Sequence, residues 1–362
     1  MKRLSRRCLR AAAVMSVVVA TFAGSGTVSA HGNVHPPDTL VSGLVGPLGL
    51  AVTERGDVLV TQAFIGTVSK VDKRGGVTNL VTEADAFFTP GVADAGKGRV
   101  LYTTLGPAGA LLKSIERNGS TRVVADIGAY EASHNPDQAQ HYGFTTIDAD
   151  CASQWPVDFG PPQYTGIVDS DPYAIATSGS MTYVADAAGN TIVSVDRRGH
   201  VRTVAVLPPQ PIVITQDAIN AMALPACTLG LTYNFEAVPT DVEVHHGQLY
   251  VTTLPGGPED ASLGARGGVW RINPGSGKVT QIGFGLLGAT DLAVTRAGVI
   301  YVTELFGGQV TRIGRKGNVK VAELVTPVAI EWANGMLYVA AGDPVASPAN
   351  PLGAGMVVTI RP

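Results

Sequence analysis

Six side chains stand at recurring places in short apolar runs, and they carry most of the chemistry the sequence offers. Three follow a run: Gln62 after VLVT, Asp186 after YVA and Glu304 after IYVT. Three lie at or just before one: Asp171 before PYAIA, Asp241 in TDVEV and Asp291 in TDLAV. Carboxylates gathered at one mouth suit a hard cation such as calcium, and Asp186, Asp241, Asp291 and Glu304 are the four such a site would use. Calcium takes about six to eight oxygens, a count these four do not reach by themselves. The same groups could orient a polar ligand or hold a general base. The competing role is structural, because an acid at a strand end caps a turn or accepts backbone N–H bonds.

The remaining candidates are less specific. His134 and His141, with Glu131 and Asp137 nearby, could bind zinc, but their spacing matches no standard ligand pattern, and a solvated loop is the better reading. No G-x-S-x-G elbow, P-loop or H-E-x-x-H motif occurs. Asn118-Gly119-Ser120 is a formal glycosylation sequon, and a turn also explains it. His245-His246 reads as a surface turn. Trp155, Trp270 and Trp332 read as packing residues, with Trp155 placed where it could line a pocket.

The elements that position these groups repeat. A second-strand core recurs as VLVTQ (58–62), VLYTT (100–104), TYVAD (182–186), LYVTT (249–253), IYVTE (300–304) and LYVAA (337–341). Gly-bearing turns such as VDKRGG, VDRRGH and IGRKGN follow a third strand, and the D-x-x-G pattern fits a type I turn with Gly left-handed. Alternating, Val/Ile/Tyr-rich runs are half-buried antiparallel strands. Six units of about forty residues predict an all-β fold, a six-bladed β-propeller with four-stranded antiparallel blades. The C-terminal MVVTIRP supplies a third strand without a fourth. Residues 39–44 therefore pair outside 356–361 and close the ring.

In such a ring the six polar positions point toward the channel mouth. Blades one, two and six carry Gly49, Gly91 and Ala329 where further acids would stand, so any cluster is one-sided. The long connections, 128–168, 209–236, 254–267 and 342–355, all fall on one face, where ordered loops on a rigid scaffold carry function. Cys151 and Cys227 lie in the two inter-blade insertions that flank blade three. They read either as a disulfide or as two buried thiols.

MKRLSRRCLR followed by a short apolar core and Val28-Ser29-Ala30 reads as a signal peptide over 1–30, cleaved after Ala30 and exported by the Sec or the twin-arginine route. Residues 31–362 then form one propeller domain. The leader holds five of the 26 Lys and Arg and none of the 29 Asp and Glu, so the mature net charge is 21 − 29 = −8. That balance argues against nucleic acid or an anionic membrane as partner. No later segment is apolar enough to span a membrane. A secreted monomer is expected, with a small molecule or an extracellular partner and no required cofactor beyond the calcium option.

ADIGAYEASHNPD (125–137), DSDPYAIA (169–176), YVADAAGNTIVSVDRRG (183–199), AVPTDVEV (237–244), LYVTTLPGGP (249–258) and ATDLAV with IYVTE (289–304) together resemble the ScyD/ScyE family of exported, NHL-like propellers. They run in order over nearly the whole mature chain. The resemblance implies a secreted β-propeller and supplies no catalytic residues. The chain departs from it in a short first-blade loop, TQAFIGTVSKV, and in an extra stretch at 138–168. Three functions compete: a binding or interaction module acting through the insertion face, a calcium-dependent hydrolase or lactonase, and a streptogramin-type lyase. The lyase would need His134 or His141 at the mouth.

Overall fold

The computed structural model describes residues 37–342 and 355–362. The leader 1–30 and most of the 342–355 insertion lie outside the described residues. Alternating side chains fold the six repeats into six four-stranded antiparallel blades. The turns between third and fourth strands form as their sequences dictate. Asp72 Oδ1 accepts the Arg74 and Gly76 N–H groups at 2.8 and 2.9 Å, and Gly75 takes φ +83°. Asp196 repeats this with Arg198 and His200, with Gly199 at φ +84°. In the five blades formed from consecutive strands, a register shift also interrupts the pairing of strands three and four, as at Val68/Ser69 and Ile192/Val193. Such bulges add local twist.

The ring closes as the sequence requires. Asp38–Leu44 pairs with Gly355–Ile360, which continues to Met336–Ala341 and Ala329–Ala333. Val41 and Leu44 thereby join a core that contains Leu50, Val58 and Val60 of blade one and Val328 and Val357 of blade six. The outermost strand of the last blade is thus the first strand of the chain, and the edge that would otherwise be open is paired.

Blades meet through hydroxyl bonds near the axis. Thr61 Oγ1 accepts the Gly49 N–H at 2.8 Å and donates to Pro90 O of the next blade at 3.1 Å. Thr240 Oγ1 likewise donates to Ala289 O at 3.1 Å. Gly49 is required here, since a Cβ would lie 2.1 Å from Pro90 O.

The insertions form more than loops. His141–Phe144, Gln163–Thr165, Gln210–Val213 and Thr232–Phe235 pair into a seventh four-stranded sheet, built from both inter-blade insertions. Phe144 meets Trp155 and Tyr233 edge-on at 4.9 Å each, and this aromatic core also takes Ile214, Ala218 and Phe235. Cys151 and Cys227 form a disulfide beside it, with Cα atoms 5.8 Å apart. Of the two sequence readings, the bridge is the one observed.

Candidate functional site

Gln62, Asp186 and Glu304 occupy one register position at the ends of their second strands, and each clamps the segment entering its own blade. Gln62 Oε1 accepts the Val45 N–H at 3.0 Å. Asp186 accepts from the Asp171 and Gly189 N–H groups at 2.7 and 3.2 Å and from Ser170 Oγ at 2.7 Å. Glu304 accepts the Leu287 N–H at 2.6 Å, with Gln309 and Thr311 on its other oxygen. All three are buried. For Asp186 this is the end-of-strand cap that its position suggests. Burial nonetheless lifts its carboxyl to about 6 against those hydrogen bonds.

Asp241 and Asp291 are brought together in the channel. They pair opposite Thr252 and Thr303, where blades three and six carry Ala174 and Ala329. Asp241 accepts the Leu292 N–H from the next blade at 3.1 Å. Glu243 and Glu331 join them around a constriction of about 20 Å³. Glu243, Asp291 and Glu331 are half-buried and line this narrow channel. Burial raises Asp241 to about 7, and burial with the neighbouring carboxyls raises Glu331 to about 8. Asp291 and Glu243 are also raised, by burial first and by the facing acids second. Glu243 follows Asp241 by two residues, on the same strand face, and that spacing is the signal that could have found it.

The four expected calcium ligands thus divide: Asp241 and Asp291 meet, while Asp186 and Glu304 serve separate blades. Among the described residues no group of three or more His, Cys, Asp and Glu side chains is placed to hold a metal ion.

Asp171 lies in neither set. It borders a cavity of about 250 Å³ on the insertion face, above Tyr173 and Thr240, which line both this cavity and the constriction. Phe64, Phe87, Phe88, Leu105, Leu254 and Leu305 give it apolar walls, and Asp169, Asp171 and Glu236 supply its charge. Phe88 packs between Phe64 and Tyr173, with ring centroids 5.7 and 6.1 Å away. Asp171 is 6% exposed, and its Oδ1 has no hydrogen-bond partner in the protein. Burial first, then Asp186 and Asp169, raise its carboxyl to about 8. Burial also raises Asp169 and Glu236.

The insertion 128–168 contributes differently from its zinc reading. The helix Ile127–His134, capped by Asp126, turns Glu131 inward and leaves His134 stacked on Tyr130 at 4.2 Å in solvent. His141 is exposed on its strand. Neither histidine lines the mouth or the constriction, and no other histidine among the described residues does. Glu131 and Asp137 are buried instead, and Asn190 donates to both Asp137 at 3.1 Å and Glu236 at 3.3 Å.

Two of the larger concavities bear on the sequence readings. One of about 490 Å³ lies in the insertion core, where Trp155 does line a pocket, beside Tyr233, Phe235 and Glu236. The other, about 1070 Å³, opens on the opposite face among the tight turns and includes His245 and His246. The insertion-face mouth is the better site despite its size, since it combines apolar walls with a buried, unpartnered acceptor. In the turn carrying the sequon, Asn118 Oδ1 accepts from the Ser120 N–H and hydroxyl.

No family model and no curated protein matches the sequence. Solved structures match by fold. A PQQ-bound aldose sugar dehydrogenase from Streptomyces coelicolor is 12% identical over 91% of this chain and 98% of its own, with a TM-score of 0.57. A gluconolactonase from Xanthomonas campestris is 12% identical over 91% and 96%, with a TM-score of 0.55. Virginiamycin B lyase from Staphylococcus aureus is 17% identical over 82% and 77%, with a TM-score of 0.46, too loose for residues to be compared. At these identities the likeness is one of propeller fold, and fold does not carry function.

Proposed function

We propose that the chain is an exported, non-catalytic binding propeller that holds a compact ligand at its insertion-face mouth. The observation that carries this reading is the apolar cavity of about 250 Å³ with the buried, unpartnered Asp171 on its wall. An orienting polar group in an apolar hollow is how small-molecule sites are built, and the volume, just under the usual ~300–1,000 Å³, sets a small ligand. Export is supported by the leader and by the Cys151–Cys227 bridge, which belongs to an oxidising compartment. The ordered ScyD/ScyE-like segments agree with it, and we assign the chain to that group on them.

Ligand-observed NMR with a fragment set tests the proposal on the mature chain. Ala188 lines the cavity, and Ala188→Trp fills it. Fragments that bind the native chain and not this folded variant support the mouth. Fragments that bind both equally place the site elsewhere. A calcium-dependent rise in Tm, reversed by chelator, would instead favour the metallo-hydrolase.

A further inference from the structure

The charge at the mouth is one-sided and deep. Asp169, Asp171 and Glu236 line the cavity. Directly behind them stand Asp186, bonded to Ser170, Asp137, bonded with Glu236 to Asn190, and the buried Glu131. Gly189 permits this crowding: a Cβ there would lie 3.3 Å from both Asp186 Oδ2 and Glu131 Oε2. Among the described residues none of the six pairs with a Lys, Arg or His. No basic residue lines the cavity.

Hydrogen bonding leaves acceptors over. Besides Asp171 Oδ1, Glu131 Oε1 and Asp137 Oδ1 have no partner, and both side chains are 1% exposed. Buried polar groups are normally paired, and buried charges are paired or ligated. Buried acids set this close oppose one another's ionisation: burial first, then Asp186, Asp137 and Asp169, raise Glu131 to about 8. The bank therefore sets buried acceptors beside an aromatic wall. Anionic acceptors beside ring faces recognise organic cations.

We propose that the mouth binds a compact amphipathic amine, its ammonium on Asp171, Asp169 and Glu236 and its apolar body on Phe64, Phe88 and Leu305. The inference rests on the binding reading above and adds the chemistry of the ligand. The apolar walls favour an organic cation over a bare metal ion, which would leave them unused.

Three probes sharing a phenyl body separate the possibilities: 2-phenylethylamine, 2-phenylethanol and phenylacetate, titrated calorimetrically into the mature chain. The amine is expected to bind at least about tenfold more tightly than the alcohol, and phenylacetate not at all. Asp171→Asn should cost the amine about tenfold and leave the alcohol unchanged, and Glu236→Gln provides the same test if the first variant melts early. Equal binding of amine and alcohol, or an amine indifferent to both variants, overturns the cation while leaving the cavity reading intact. Absence of any binding overturns both. Displacement of the amine by calcium assigns the bank to a metal and overturns the proposal.

Discussion

Replacing Cys151 and Cys227 by serine should uncouple the insertion sheet from the ring. The bridge spans a sequence separation of 76. Chain-entropy arithmetic for that loop gives about 4.5 kcal/mol for global unfolding. Opening the insertions alone is a different case, because blade three remains folded between Pro172 and Val206. Only about 40 residues of chain are then free, and the same arithmetic still gives about 4 kcal/mol. What holds the sheet without the bridge is short pairing, Gly143 and Phe144 against Asn234 and Tyr233, and the aromatic core around Phe144. The ring, in contrast, keeps every blade contact. The sheet should therefore open first. In a Trp270→Phe, Trp332→Phe background, Trp155 reports the insertion core by fluorescence while far-UV circular dichroism reports the blades. In guanidinium the two transitions should coincide for the bridged protein and separate for the serine variant, with Trp155 moving to lower denaturant. Transitions that stay coincident, with a loss below about 1 kcal/mol, would refute the reasoning, since the bridge would then constrain nothing that the pairing does not already hold.

Stability should fall as pH rises from about 5 to 9. Asp171, Asp186 and Asp241 are raised to about 8, 6 and 7, so the folded chain keeps protons that the unfolded chain has lost. Their favourable contribution is complete below about pH 4 and is lost through those folded values, each proton at about 1.4 kcal/mol per pH unit. A Tm that is flat or rising over that window contradicts the buried-acid assignment. Gly49→Ala should destabilise by about 1–3 kcal/mol through the contact with Pro90 O, read as a lower guanidinium midpoint with unchanged slope. Asp186→Ala removes one acceptor from three donors and should cost about 2 kcal/mol or more; a neutral result would mean that the clamp is idle.

The blades were legible because their strands alternate with period two and their turns carry Asp and Gly where hydrogen bonding and a positive φ require them. The clasp followed from a third strand without a fourth, and the bridge from an even cysteine pair behind a leader. The seventh sheet was not legible. Its strands are three or four residues long, interrupted by Gly143 and Pro211, and pair across segments about ninety positions apart, as Gly143 with Asn234. Glu131 and Asp137 were misplaced because local polarity puts such residues in water, whereas tertiary contact buries them against blade three. Asp241 and Asp291 meet in the channel and Asp171 borders the mouth cavity, yet Gln62, Asp186 and Glu304 turn sideways into the chain entering their own blades. A sequence unrolled into strands does not show that turn.

The closing strand has a consequence for biosynthesis. Asp38 and Thr359 are 321 positions apart yet hydrogen-bond to each other. A strand among the earliest to emerge must wait for one of the last before it has its partner. Five blades can form in order as the chain appears, each with local pairing, but the sixth cannot. Until then Asp38–Leu44 is unpaired, and Gly355–Ile360, held on one side by Met336–Ala341, keeps its other edge open. A product that stopped short of Gly355 would keep that gap for good and expose it to proteases and to other chains. The last blade thus acts as a length check on the whole ring.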